Sequence, residues 1–118
     1  MNNMENLVGF IQERAEYFLK ENGEFAPFGA YIRSNGEITD VIGYSENISS
    51  EEIYNILLKG IEQDLQDEDV RASAIGLDGN IDDSDVLVIE IFLSKDEKYQ
   101  VIYPYTINNN KVTFGKKL

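Results

Sequence analysis

The chain predicts an α+β fold: one antiparallel sheet of five to six strands, with two helices packed on one face. Three observations carry that expectation. Segments 3–21 and 50–65 place apolar residues at helical spacing. The rest of the chain divides into short runs of branched and aromatic residues. Turn sequences separate those runs, and strands joined by short turns pair antiparallel. The 118 residues suit a single domain over 1–118 and suffice to bury a core.

Each element has its own warrant. In the first helix Met4, Leu7, Val8, Ile11, Ala15, Phe18 and Leu19 form one stripe. Asn3 is placed to cap it, and Asn22-Gly23 to stop it. A hairpin follows, with strands over Phe25–Arg33 and Glu37–Tyr44. Pro27 cannot donate to a ladder and belongs at a strand start or an edge. Asn35-Gly36 between the strands predicts a type I′ turn. Ser49 and Glu52 have the spacing of a capping box, with Ile48 and Ile53 as the hydrophobic staple around it. Ile53, Leu57, Leu58, Ile61 and Leu65 are the buried stripe of the second helix. Strands are then expected over Val70–Leu77, Val86–Ser94, Tyr99–Tyr105 and Lys111–Phe114. Ala72, Ala74 and Gly76 make a row of small residues that lets a helix approach closely. The strand from Val86 is apolar on both sides, which predicts a central position with some cover on each face. The order α-β-β-α-β-β-β, with a short further strand, resembles roadblock and profilin-like sheets by analogy of topology alone.

Charge and missing residue types narrow the chemistry. Histidine, cysteine and tryptophan are absent. Common hydrolytic dyads, thiol chemistry and most zinc sites therefore have no residues to build them, and no cofactor is expected. The net charge of −12 argues against nucleic acid and anionic membranes as partners, since both need clustered Lys and Arg. The excess is regional: residues 46–97 hold 15 acids against 3 bases, and the remainder balances at 7 against 7. The lack of cysteine and of a basic, apolar leader points to the cytoplasm.

Three candidate sites follow. Asp78, Asn80 and Asp82 match the first ligand positions of a calcium loop. Asp83 and Ile89 break the pattern where Gly and Glu belong, which favours a solvated hairpin turn. Glu90 interrupts an apolar strand. It is a structural carboxylate paired with Arg71 or Arg33, a solvent-facing strand position, or an acid–base group of raised pKa. Tyr99, Val101, Tyr103 and Tyr105 line one face of a strand, with Tyr31 and Tyr44 expected nearby. Such a row suits protein contacts and half-buried strands equally.

Glu24-Phe25-Ala26-Pro27-Phe28-Gly29-Ala30 is followed by Ser34-Asn35-Gly36-Glu37-Ile38, Asp85–Ile91, Pro104-Tyr105 and Val112-Thr113-Phe114-Gly115. With these motifs the chain resembles a group of small uncharacterised bacterial proteins carrying a Phe-x-Pro-Phe-Gly-Ala strand. That resemblance implies a self-contained bacterial domain and transfers no catalytic residue.

The expected function is a non-catalytic protein-binding module, in its sharper form an immunity- or antitoxin-like inhibitor of a basic partner. Its expected surface is Glu62, Asp64, Asp67, Glu68, Asp69, Asp82, Asp83, Asp85, Tyr99, Tyr103 and Tyr105. The alternatives are a small-ligand-binding protein or enzyme using carboxylates and tyrosines, and a homodimer through an open sheet face.

Overall fold

In the computed structural model the first helix, α1 (Asn3–Asn22), buries Leu7, Ile11, Ala15 and Leu19, the inner line of the expected stripe. The second, α2 (Ser50–Asp64), buries Ile53, Leu57 and Ile61. Six strands accompany them: β1 (Phe28–Arg33), β2 (Ile38–Val41), β3 (Val70–Ile81), β4 (Ser84–Ser94), β5 (Glu97–Asn108) and β6 (Lys111–Phe114). They form one antiparallel sheet in the order β2-β1-β3-β4-β5-β6. The α+β class and the element order are those expected. The structure describes residues 3–41, 48–94 and 96–118. The expected end of the second strand, Ile42 to Tyr44, lies outside them.

The helices do not share a face. Residues along a strand point alternately to the two sides of the sheet. Ala72 and Ala74 of β3, with Leu87, Ile89 and Ile91 of β4, pack with the stripe of α1. Ile75 and Phe92, which alternate with them, pack with Ile53, Leu57 and Ile61 of α2. Each helix therefore seals one side. The reason lies in β3 and β4, which are apolar on both sides: one layer of helix would leave Ile75 and Phe92 in water.

Strand ends and turns also differ from expectation. β1 begins at Phe28, after Pro27, rather than at Phe25. β3 and β4 run further than expected and meet at Asp82-Asp83, both in the left-handed region at φ 50° and 66°. At the β1–β2 turn only Gly36, at φ 89°, is left-handed. Its N–H bonds to Arg33 C=O, and Arg33 N–H bonds to Glu37 C=O, both at 2.9 Å. This is a three-residue loop ending in a glycine bulge, not the expected two-residue type I′ turn. Asn35 Oδ1 accepts from Glu37 N–H at 2.9 Å, which favours the looser loop.

Ser49 caps α2 as expected, but Glu52 Oε1 accepts from the Ser49 hydroxyl at 3.3 Å, so only one half of the capping box forms. Ser49 Oγ accepts from Glu52 N–H at 3.2 Å, and Ile48 packs with Ile53 as the staple. After β6 the chain continues beside β5. Gly115 N–H donates to Pro104 C=O and Leu118 N–H to Ile102 C=O, each at 2.8 Å.

Candidate functional site

The acidic residues of the expected surface fall into two groups at opposite ends of β3. One group spans the last turn of α2 and the segment after it: Glu62, Asp64, Asp67, Glu68 and Asp69. The other, Asp82, Asp83 and Asp85, sits at the β3–β4 turn. All 12 residues of β3 separate them, roughly 40 Å along the strand. They do not make one surface.

In the first group Asp67 and Asp69 are committed to structure. Arg33 Nη1 lies 3.3 Å from both Asp67 Oδ2 and Asp69 Oδ2, and its guanidinium stands 5.3 Å over the Tyr31 ring. The Ser34 hydroxyl donates to Asp69 Oδ1, and Ser34 N–H to Asp69 C=O at 2.8 Å. The Ser34 hydroxyl and then Arg33 hold the Asp69 carboxyl below its ordinary range. Asp67–Asp69 thus clasp the β1–β2 loop. Half-burial pushes the Asp64 carboxyl upward. Glu62 and Glu68 are exposed.

Asp78 to Asp85 is a hairpin, not a loop around an ion. Asp78 pairs across the sheet with Leu87, Asn80 with Asp85, and Ile81 with Ser84. Asn80 Nδ2 donates to Asp85 Oδ1 at 3.5 Å, and Asp78 Oδ1 accepts from the Tyr105 hydroxyl at 2.6 Å. Among the described residues no three acids converge in a way that could hold a metal.

The tyrosine row lies on the α1 face, as shown by the pairings of Tyr99 with Ile91 and Tyr103 with Leu87. Tyr105 is buried, Tyr103 packs on the core, and Tyr99 is 42% exposed. The row is mainly core, with one exposed end. Burial, then Asp78, and then Asp85 and Glu24 push the Tyr105 hydroxyl well above its ordinary pKa.

Glu90 is buried on the α2 face. Its expected arginine partners lie elsewhere. Instead Tyr54 of α2 donates to Oε1 at 2.5 Å, and Gln100 Nε2 to Oε2 at 3.0 Å. Burial first, and then the bond to Glu90, push Tyr54 up to about 12. A raised tyrosine pKa means the fold favours the protonated phenol. That stabilisation is whole below pH 10 and is lost as pH rises toward 12. Tyr54→Phe is therefore expected to cost about 1–2 kcal/mol at pH 8, by leaving Glu90 one donor short. The gap to wild type should close between pH 10 and 12. Urea unfolding followed across that range measures it, and a gap independent of pH would contradict the pairing.

A cavity of about 750 Å³ opens at the sheet end where α1 hands over to β1. The α1 end contributes Phe18 and Asn22. The connecting segment contributes Glu24 to Pro27, and β1 contributes Phe28. Ser50 and Ile53 of α2 and Asp78 of β3 complete the described lining. Phe18 and Phe25 each meet the Phe28 ring edge-to-face, with centroids 5.3 and 5.4 Å apart. Glu24, Phe18 and Phe25 were not anticipated as site residues. Phe25-Ala26-Pro27-Phe28 reads as strand, and only the helix-to-strand corner turns these side chains onto one cleft. A second recess of about 400 Å³ lies on the α2 face, between Leu58, Ile61, Leu65 and Phe92, with Lys98 at its margin.

What the arrangement offers is a cleft of aromatic walls and carboxylates, next to a hairpin tip bearing three more acids. No family model matches this chain, and no curated protein or solved structure matches it.

Proposed function

We propose that this chain is a non-catalytic protein-binding module for a basic partner, of the kind formed by immunity- or antitoxin-like inhibitors. The observation that carries the reading is the acidic end of the sheet. Asp78, Asp82, Asp83, Asp85 and Glu24 make no ion pair among the described residues. The chain's own arginines are spent elsewhere or lie at the far end: Arg14 on Asp40, and Arg33 on Asp67 and Asp69. Unneutralised carboxylates at one pole draw in a cationic surface and speed its association. Glu90 does not alter this reading. It is one buried carboxylate between two neutral donors, which makes no catalytic constellation.

Affinity capture with the purified chain at low ionic strength tests the reading. Retained proteins should be basic, should elute by about 0.5 M salt, where screening shortens to a few ångströms, and should be lost from Asp82→Asn/Asp83→Asn/Asp85→Asn. Retention insensitive to both would sink it.

The cleft favours a second reading, a small-ligand-binding protein, because its volume falls in the range of ligand sites. A thermal-shift screen of small organic amines and acids checks it, a saturable rise in melting temperature being the expected sign. A homodimer through an open sheet face draws less support, since α2 occupies that face over Ile75 and Phe92.

A further inference from the structure

We propose that the cleft between Phe18, Phe25, Phe28, Glu24 and Asp78 receives an arginine side chain of the basic protein partner. This rests on the protein-binding reading and adds to it a site and a residue type. The charged residues in the described lining are Glu24 and Asp78, both acidic. Asp78 is held by Tyr105 through Oδ1 alone, which leaves Oδ2 open to a donor. Asp85 lies across the strand pair from Asn80, two residues beyond Asp78, and adds to the same field.

The rings supply the second half of the argument. Elsewhere this chain places its own cations over rings: Arg14 over Phe10 at 5.1 Å, Arg33 over Tyr31 at 5.3 Å and Lys98 over Phe92 at 5.9 Å. Among the described residues no cation stands over Phe18, Phe25 or Phe28. Phe18 and Phe25 are only half-buried. Aromatic faces beside carboxylates attract a flat cation, by stacking and by paired N–H donors. Guanidinium meets both demands better than a compact ammonium. The carboxylates are too dispersed for a metal ion. The start of α2 at Ser50 brings the positive end of a helix to the rim, but Glu51 and Glu52 in its first turn offset it. A cavity of about 750 Å³ has room for the side chain and the backbone that carries it.

The test is an amide-resonance titration of the full chain with N-acetyl-arginine amide. Saturable shifts are expected at Phe25, Ala26, Phe28, Ile53 and Asp78. Binding of the neutral isostere N-acetyl-citrulline amide should be about tenfold weaker. Asp78→Asn keeps an acceptor for Tyr105 and should weaken the arginine probe about fivefold. Phe25→Leu should do the same through the lost ring, while Glu68→Gln at the far pole should change nothing. Equal binding of citrulline, shifts centred on Glu62–Asp69, or indifference to Asp78→Asn overturns the proposal. A captured partner that binds wild type and Asp78→Asn alike also overturns it, yet leaves the module reading intact. If the probe binds here and no basic protein is retained, the module reading fails and the cleft's ligand is a free organic cation instead.

Discussion

Ile75→Ala and Ile89→Ala should each destabilise the chain by about 3 kcal/mol, lowering the melting temperature by roughly 10–15 °C. The two side chains sit on opposite faces of the sheet. Ile89 packs in the α1 cluster and Ile75 in the α2 cluster, and both are fully buried at 0% exposure. In each case truncation removes buried methylenes and leaves a cavity between helix and strand. The comparison is diagnostic because it depends on where the helices lie. With both helices on one face, one of these isoleucines would face water and its loss would cost less than about 0.5 kcal/mol. Denaturant unfolding of the two variants decides it: equal, large losses fit one helix per face, and a large loss paired with a negligible one contradicts it.

Gly76→Ala should cost about 2–3 kcal/mol, unusually much for the addition of one methyl group. Gly76 lies directly across from Phe28 in the β1–β3 ladder. A Cβ there would come within 2.7 Å of Phe28 Cζ and 3.0 Å of Ile11 Cγ2. Moving the ring aside would disturb its edge-to-face contacts with Phe18 and Phe25. Phe28→Leu costs stability alone but makes room for the methyl. The double variant should therefore be less destabilised than the sum of the singles, by about 1 kcal/mol or more. Strict additivity in a double-mutant cycle would show that the two residues do not compete for this space. The same ring forms a wall of the cleft, so the cycle also reports on how firmly that wall is held.

Much of this arrangement was legible before any coordinates. The stripe of α1, the N-cap and staple at Ser49, and the limits of β6 all arise from local patterns that tertiary contacts reinforce. The row Ala72-Ala74-Gly76 announced a close approach, and the structure places α1 and Phe28 there. Where the reading departed, longer-range physics decided. Asp and Asn from 78 to 85 suggested a loop, because isolated propensity disfavours them in strands. Cross-strand pairing and the Tyr105 bond keep them in the ladder instead. Glu90 stands out in the sequence as a carboxylate in an apolar strand, either paired or facing water, and the structure buries it. Its donors come from α2, 36 residues away, and from β5, 10 residues away, and no local spacing names them.

The amino-acid sequence by itself determined the element order, the antiparallel sheet, the regional acidity and the exclusion of histidine and cysteine chemistry. These depend on periodicity, turn residues and composition, which act over a few positions at a time. The strand from Val86 asks for cover on each face, and tertiary structure decided which helix supplies it on which side: α1 covers Ile89 and Ile91, and α2 covers Ile75 and Phe92. It also decided how the acidity is divided. A strand of 12 residues holds its two ends apart. One acidic group therefore clasps Arg33, and the other stands beside an aromatic cleft whose described lining holds no cation.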